Sequence, residues 1–194
     1  MKNFHFTLVL LTSILIATGI HYIEYQSTLP KLQKCFSQHT PCFKDYDEGL
    51  RAAKLWEKPA ILMFSAWACV NCQRWVEVLY KHPPILKFME EEFVLIVLEV
   101  DDMTSLPSEE QITYFNHQGK QKELKTVGDK WTRIAISCYT CCSQPKFFLI
   151  NSEKELLVIE ALGYANLEKF QAFLEAGLHN FQHGISEGKM ECDL

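Results

Sequence analysis

Residues 58–72 read Lys-Pro-Ala-Ile-Leu-Met-Phe-Ser-Ala-Trp-Ala-Cys-Val-Asn-Cys, and this stretch decides the fold. Ala60 to Phe64 is a continuous apolar run after a proline, which suits a strand covered on both faces. Ser65 to Ala68 reads as a turn, and a helix is predicted to start near Cys69 and run through Gln73, Trp75, Val76 and Leu79. The first sulfur therefore falls at a helix amino terminus, where unpaired amides and the macrodipole favour negative charge. That lowers the thiol pKa and raises the thiolate fraction. Cys72 comes one helical turn later, within bonding reach. The pair can cycle between dithiol and disulfide, with Cys69 attacking and Cys72 resolving. The competing readings are a plain structural disulfide and half of a zinc site, which needs two more ligands.

Working outward, Asp45 to Glu57 has an amphipathic helical pattern, with Leu50, Ala53, Leu55 and Trp56 near one face and Asp45 or Asp47 as cap. Pro83-Pro84 interrupts the helix after Cys69, and Ile85 to Glu91 is a second helical piece. Phe93 to Val100 is the clearest strand. Met103 to Lys130 is polar, with Ile112–Phe115 and Glu123–Val127 predicted to pair across Asn116 to Gly119. Trp131 to Ile136 reads as helix, Lys146 to Ile150 as strand, and Leu156 to Ala161 as its return strand. Asn166 is placed to cap a last helix carrying Leu167, Phe170, Phe173 and Leu174. Strands joined by crossover helices predict an α/β sandwich with parallel pairs, and the closing hairpin makes the sheet mixed.

Hydrophobic residues are 48% and charged residues 22% of the 194, which excludes a disordered, collagen-like or polytopic membrane chain. A formal charge of -5 gives no sign of nucleic-acid binding, which requires excess Lys and Arg. Lys2 is followed by the apolar run Phe4 to Ile20 and the small-residue stretch Ala17-Thr18-Gly19. Residues 1–20 therefore read as a cleaved signal peptide or a membrane anchor. Either places the body in a periplasmic or other extracytoplasmic compartment, where disulfides persist. Residues 21–44 read as a linker or arm, 45–178 as the domain, and 179–194 as a polar, frayed tail.

Lys58-Pro59, Trp67 to Cys72 and Gln144-Pro145 before Lys146 to Ile150 together resemble a thioredoxin-like domain. The chain is most similar to the reductase domain of DsbD-type thiol:disulfide interchange proteins and their stand-alone exported relatives. Asp101-Asp102, Leu106-Pro107 and Thr126 to Trp131 also resemble a subgroup of those relatives, and the resemblance spans roughly residues 45–177. It implies a thioredoxin fold with an inserted excursion before a strand led by a cis proline, Pro145. It further implies catalysis by Cys69 and Cys72, and a substrate groove formed by Trp67, Val70, Asn71, Gln144 and Pro145. The implied partners are cysteine pairs of extracytoplasmic proteins, with a separate membrane electron donor. No cofactor beyond the 69–72 disulfide, and no metal, is required. One departure stands out. The family's buried aspartate, six positions before the first active cysteine, is replaced by Met63, and Glu99 is a candidate substitute.

Cys138, Cys141 and Cys142 are candidate accessory thiols just before Pro145. They form a local disulfide (138–141 or 138–142), a redox relay exchanging with Cys69, or a soft-metal thiolate set. Cys35 and Cys42 most simply close a small loop, leaving Cys192 over. His179, His183 and Glu175 have metal-ligand spacing but fit a solvated helix face better. Asp101-Asp102 reads as a solvated strand end. The sequence thus points to an exported thiol–disulfide oxidoreductase acting in the reductase direction. The alternatives are a thioredoxin-like copper- or zinc-handling assembly factor, or a non-catalytic binding module.

Overall fold

The computed structural model describes residues 33–35, 40–116 and 118–190. The expected leader at residues 1–20 and the leftover Cys192 lie outside the described residues, as does the side chain of Cys35. Among the described residues no helix is long and apolar enough to cross a membrane.

A five-stranded mixed sheet forms the centre, in the order β4 (Val94–Glu99), β3 (Ala60–Ser65), β7 (Lys146–Ile150), β8 (Glu155–Leu156), β9 (Gly188–Lys189). Only β3 and β4 are parallel, in register from Ala60↔Val94 to Ser65↔Glu99. β7 runs antiparallel on the other side of β3, with Phe64 opposite Lys146. Every residue of β3 is buried, as its unbroken apolar run requires of a strand covered on both faces.

Side-chain alternation sorts the core into two layers. On one face Leu62, Phe64, Ile96, Leu98, Phe148 and Ile150 pack under α1 (Tyr46–Leu55) and α4 (Val127–Ser137). On the other, Ile61, Met63, Leu95, Val97, Phe147 and Leu149 pack under α2 (Val70–Tyr80), α3 (Pro83–Glu92) and α5 (Leu167–Gln182). The helix starts obey local chemistry. Asp45 accepts from the Glu48 amide, and Asn166 from the Lys169 amide. Pro83 and Pro84 open α3, where a missing amide hydrogen costs nothing. The expected α/β sandwich with a mixed sheet is what the chain forms.

Four details differ from the sequence reading. The helix placed at Trp131–Ile136 starts at Val127, because Thr126 and Asp129 form a reciprocal capping box. The excursion's second strand is therefore β6 (Gln121–Leu124), paired with β5 (Ile112–Phe115), and not Glu123–Val127. The return strand Leu156–Ala161 is broken: Leu157 still bonds Leu149, the chain then bulges outward at an exposed Ile159, and Leu162 rejoins Phe147. The tail is tied down at its start. β9 pairs with β8, and the Asn180 amide donates to the Leu157 carbonyl at 2.7 Å while Glu187 accepts from the Ile159 amide.

The arm also joins the body before residue 45. β1 (Gln33–Cys35) and β2 (Thr40–Cys42) form a hairpin, and Cys42 and Phe43 are buried. Phe43 bonds backbone to backbone with Leu95 and Val97, which extends the sheet beyond β4.

Gly128, in the first turn of α4, fixes the excursion against the end of β4. A Cβ there would lie 2.7 Å from the Val100 carbonyl oxygen and 2.7 Å from the Asp102 nitrogen, both backbone atoms that cannot rotate away. Gly128→Ala should therefore destabilise the domain by about 1–3 kcal/mol in chemical denaturation, the usual cost of overpacking. Gly163→Ala, whose Cβ would meet its nearest neighbour at an ordinary 3.7 Å, should not.

Candidate active site

The segment between β3 and α2 is held from behind by the end of β4. The Val100 amide donates to the Ser65 carbonyl at 2.8 Å. The Asp101 carboxylate accepts from the backbone amides of both Trp67, at 2.7 Å, and Ala68, at 3.0 Å. The Gln73 side chain donates back to the Trp67 carbonyl. A two-amide grip by a carboxylate is charge-assisted and sets the loop's path. Asp101 is thus a loop anchor, where its sequence context suggests a solvated strand end. The only signal it offers in the sequence is its position directly after a buried strand, because its partners come from a loop 33 and 34 residues away.

This path delivers Cys69 to the N-cap of α2. Its backbone is extended, and its Sγ accepts from the Cys72 amide at 3.0 Å. The first turn of α2 contains no acidic residue to oppose negative charge on that sulfur. Cys69 and Cys72 are joined in a disulfide, with their Cα atoms 5.2 Å apart. Cys69 is half-buried at the rim, whereas Cys72 is 3% exposed and packs with Met63, Trp75 and Phe147. One sulfur is thus open to an incoming partner and the other is shielded.

Around the pair, Trp67 is 64% and Val70 55% exposed, and Asn71 is exposed beside them. The Lys44 ammonium sits 4.9 Å from the centre of the Trp67 ring, a cation–π contact made by the residue at the end of the arm. The Gln144–Pro145 peptide is cis, as the resemblance implied. Because Lys146 pairs with Phe64, Pro145 lies beside Ser65 at the sheet edge from which the Cys69 loop leaves. Pro145 is buried and Gln144 half-buried.

Two of the three candidate accessory cysteines lie in the other core layer. Cys138, Tyr139 and Cys141 pack into the layer under α1 and α4, across the sheet from Cys72. Cys138 is disulfide-bonded, but neither Cys141 nor Cys142 is its partner, since both are free thiols. The local 138–141 or 138–142 bridge is therefore not formed, and Cys138 offers no thiol in this state. Burial pushes the Cys141 thiol up, against opposing effects of the Ser143 backbone and Lys146, while Cys142 is exposed. Cys141 and Cys72 thus lie on opposite faces of the sheet. Among the described residues no group of three or more His, Cys, Asp or Glu is placed to hold a metal ion. Cys42 is disulfide-bonded, in line with a tethered arm. On α5, the His179 and His183 rings stack 4.1 Å apart, and Glu175 bonds Gln171 instead.

No protein-family model matches the chain, and no curated protein matches it by sequence. Among solved structures, it is similar to a DsbH oxidoreductase at 16% identity and a TM-score of 0.50, over 70% of this chain and 82% of that one. It is also similar to a thioredoxin-fold protein from Helicobacter pylori at 20% identity and a TM-score of 0.44, over 64% and 72%. The DsbH likeness agrees with the sheet order and the cis proline before β7: the chain has a thioredoxin fold.

Two outcomes are expected from this geometry. In the reduced protein, iodoacetamide should modify Cys69 about tenfold or more faster than Cys72 at pH 6, since helix-start thiols have lowered pKa values. Peptide mass mapping after timed quenching reads this, and faster reaction at Cys72 would reverse the assignment. Asp101→Ala should cost about 1–2 kcal/mol in urea denaturation by releasing two charge-assisted bonds. Asp101→Asn, which keeps one acceptor, should cost less.

Proposed function

We propose that the chain is an exported protein thiol–disulfide oxidoreductase. The observation that carries this reading is the asymmetry of the 69–72 pair: a half-exposed sulfur capping a helix and a buried one bonded to it. In the reduced state, the Cys69 thiolate attacks a substrate disulfide, forming a mixed disulfide and releasing one substrate thiolate. Cys72 then attacks Cys69, the 69–72 bond forms, and the second substrate sulfur leaves with its electron pair. The substrate gains two electrons and the pair loses two. Trp67, Val70, Asn71, Gln144 and Pro145 are the groove that receives the substrate's cysteine strand.

The substrates we assign are cysteine pairs of other extracytoplasmic proteins. The reductase direction, the separate membrane donor and the periplasmic setting rest on the sequence resemblance to DsbD-type domains and on the apolar leader. The pair itself is the redox group, and the reaction as written needs no metal or organic cofactor. A second reading, a binding module of the same fold without turnover, is favoured by one observation. Met63, 1% exposed, occupies the place where the resembled family carries a buried acid.

Catalysed reduction of insulin by dithiothreitol separates the two. The wild-type protein should accelerate it and Cys69→Ala should abolish the acceleration, whereas equal rates would favour the binding module. Cys72→Ser should accumulate a mixed disulfide with its substrate that non-reducing electrophoresis detects. The reductase direction requires a potential nearer to about -270 mV, as in thioredoxin, than to about -120 mV, as in a strong oxidant.

A further inference from the structure

Met63 leaves the resolving thiol without an acid beneath it on its own strand, yet the same sheet face carries one on the next. In β4 the side chains of Leu95 and Val97 point into the layer that holds Cys72 and Trp75. Alternation places Glu99, the last residue of that strand, on the same face. Its register partner is Ser65, the buried residue from which the Cys69 loop departs. One oxygen of Glu99, Oε2, is fully buried and has no hydrogen-bond partner. It is the only carboxylate oxygen so placed among the described residues. The strand gains nothing in packing from a carboxylate where the positions before it on this face are Leu and Val, and a buried unpaired acceptor is costly.

We propose that Glu99 is the proton carrier of the Cys69–Cys72 pair, an inference that rests on the thiol–disulfide exchange proposed above. After the mixed disulfide forms at Cys69, the Cys72 thiol gives its proton to the Glu99 carboxylate. The Cys72 thiolate attacks the Cys69 sulfur, the 69–72 bond forms and the Cys69–substrate bond breaks. The substrate sulfur departs as a thiolate, and the proton on Glu99 passes to it or to solvent. Reduction of the pair runs the same transfer backward.

The groups that tune Glu99 come from each element around it. Burial raises its pKa above the ordinary glutamate value. The Lys44 ammonium and the Ser65 hydroxyl oppose that, and Asp101 and Asp102 add to it. The only cysteines on the facing helix are Cys69, at its N-cap, and Cys72. A raised carboxyl pKa brings the group nearer to the pH at which it must both take and release a proton. The folded protein holds this proton more tightly than the unfolded chain, so ionisation of Glu99 costs stability as pH rises above the acid range. Glu99→Gln should then leave stability unchanged in acid and increase it near neutrality.

The test uses the full chain and two readouts. In the first, resolution of a preformed mixed disulfide with a small aromatic thiol is followed by thiol release. Glu99→Gln should slow resolution tenfold or more at pH 7, should approach the wild-type rate at pH 9–10, where Cys72 ionises unaided, and should leave formation of the mixed disulfide unchanged. Glu99→Asp should recover part of the rate. Equal slowing of both steps at every pH, or no slowing, would overturn the proposal. The second readout needs no turnover and therefore separates failure of this inference from failure of the proposed function. In a Cys69→Ala background, the pH profile of Cys72 alkylation should show two coupled inflections with Glu99 present and one with Gln. An identical profile in both would overturn the proposal even in a protein that exchanges disulfides well.

Discussion

The parallel ladder between β3 and β4 brings the carboxy-terminal ends of both strands to one edge of the sheet, and the site is assembled from the segments just beyond those ends. From β3 comes the loop that delivers Cys69 to the start of α2. From β4 comes Asp101, whose carboxylate holds the amides of Trp67 and Ala68. β7, antiparallel on the far side of β3, begins at the same edge and so places Pro145 there. Three segments distant in sequence meet because strand direction leaves them no other place to meet. In open α/β sheets the crevice beyond the strand ends is a general location for function. Here the helix amino terminus adds the electrostatics that a reactive sulfur needs.

Much of this is legible because the signals are local. A continuous apolar run, a turn and a cysteine at a helix start are all contained in residues 58–72, and they define β3, the beginning of α2 and the reactive pair. The cis proline is legible only through resemblance, since local chemistry favours the trans form. What escapes a sequence reading is tertiary. The capping box of Thr126 and Asp129 stands in the sequence, but Gly128 between them argues against a helix until the backbone of Val100 and Asp102 is seen against it. The edge strand Gly188–Lys189 has no apolar pattern at all. It pairs with β8 next to Asn180 and Glu187, whose side chains meet the backbone groups of Leu157 and Ile159.

The cysteines at 138, 141 and 142 show how contour distance and spatial role diverge. Their closeness to Pro145 in sequence is real, but the segment before β7 passes over the opposite side of the sheet. Cys138 and Cys141 are therefore built into the α1–α4 layer beside Tyr139, whose hydroxyl is 2.7 Å from that of Tyr46. A relay through Cys141 would have to move a buried thiol, its pKa raised by burial, past the sheet. Among these three, Cys142 alone is exposed.

Met63, buried in the middle of β3, has a physical consequence for the site. An apolar side chain in the middle of β3 strengthens the core beneath α2, where Met63 packs with Cys72, Trp75 and Phe147. It also leaves that strand without an acidic side chain. Glu99 lies at the strand end, where Lys44 and solvent moderate the cost of a buried carboxylate that the centre of the sheet would impose in full. Lys44 reaches this position because Phe43 pairs with Leu95 and Val97, so the arm is part of the site's electrostatics as well as of its core. The Lys44 ammonium lies over the Trp67 ring, and its charge opposes the rise that burial imposes on the Glu99 pKa.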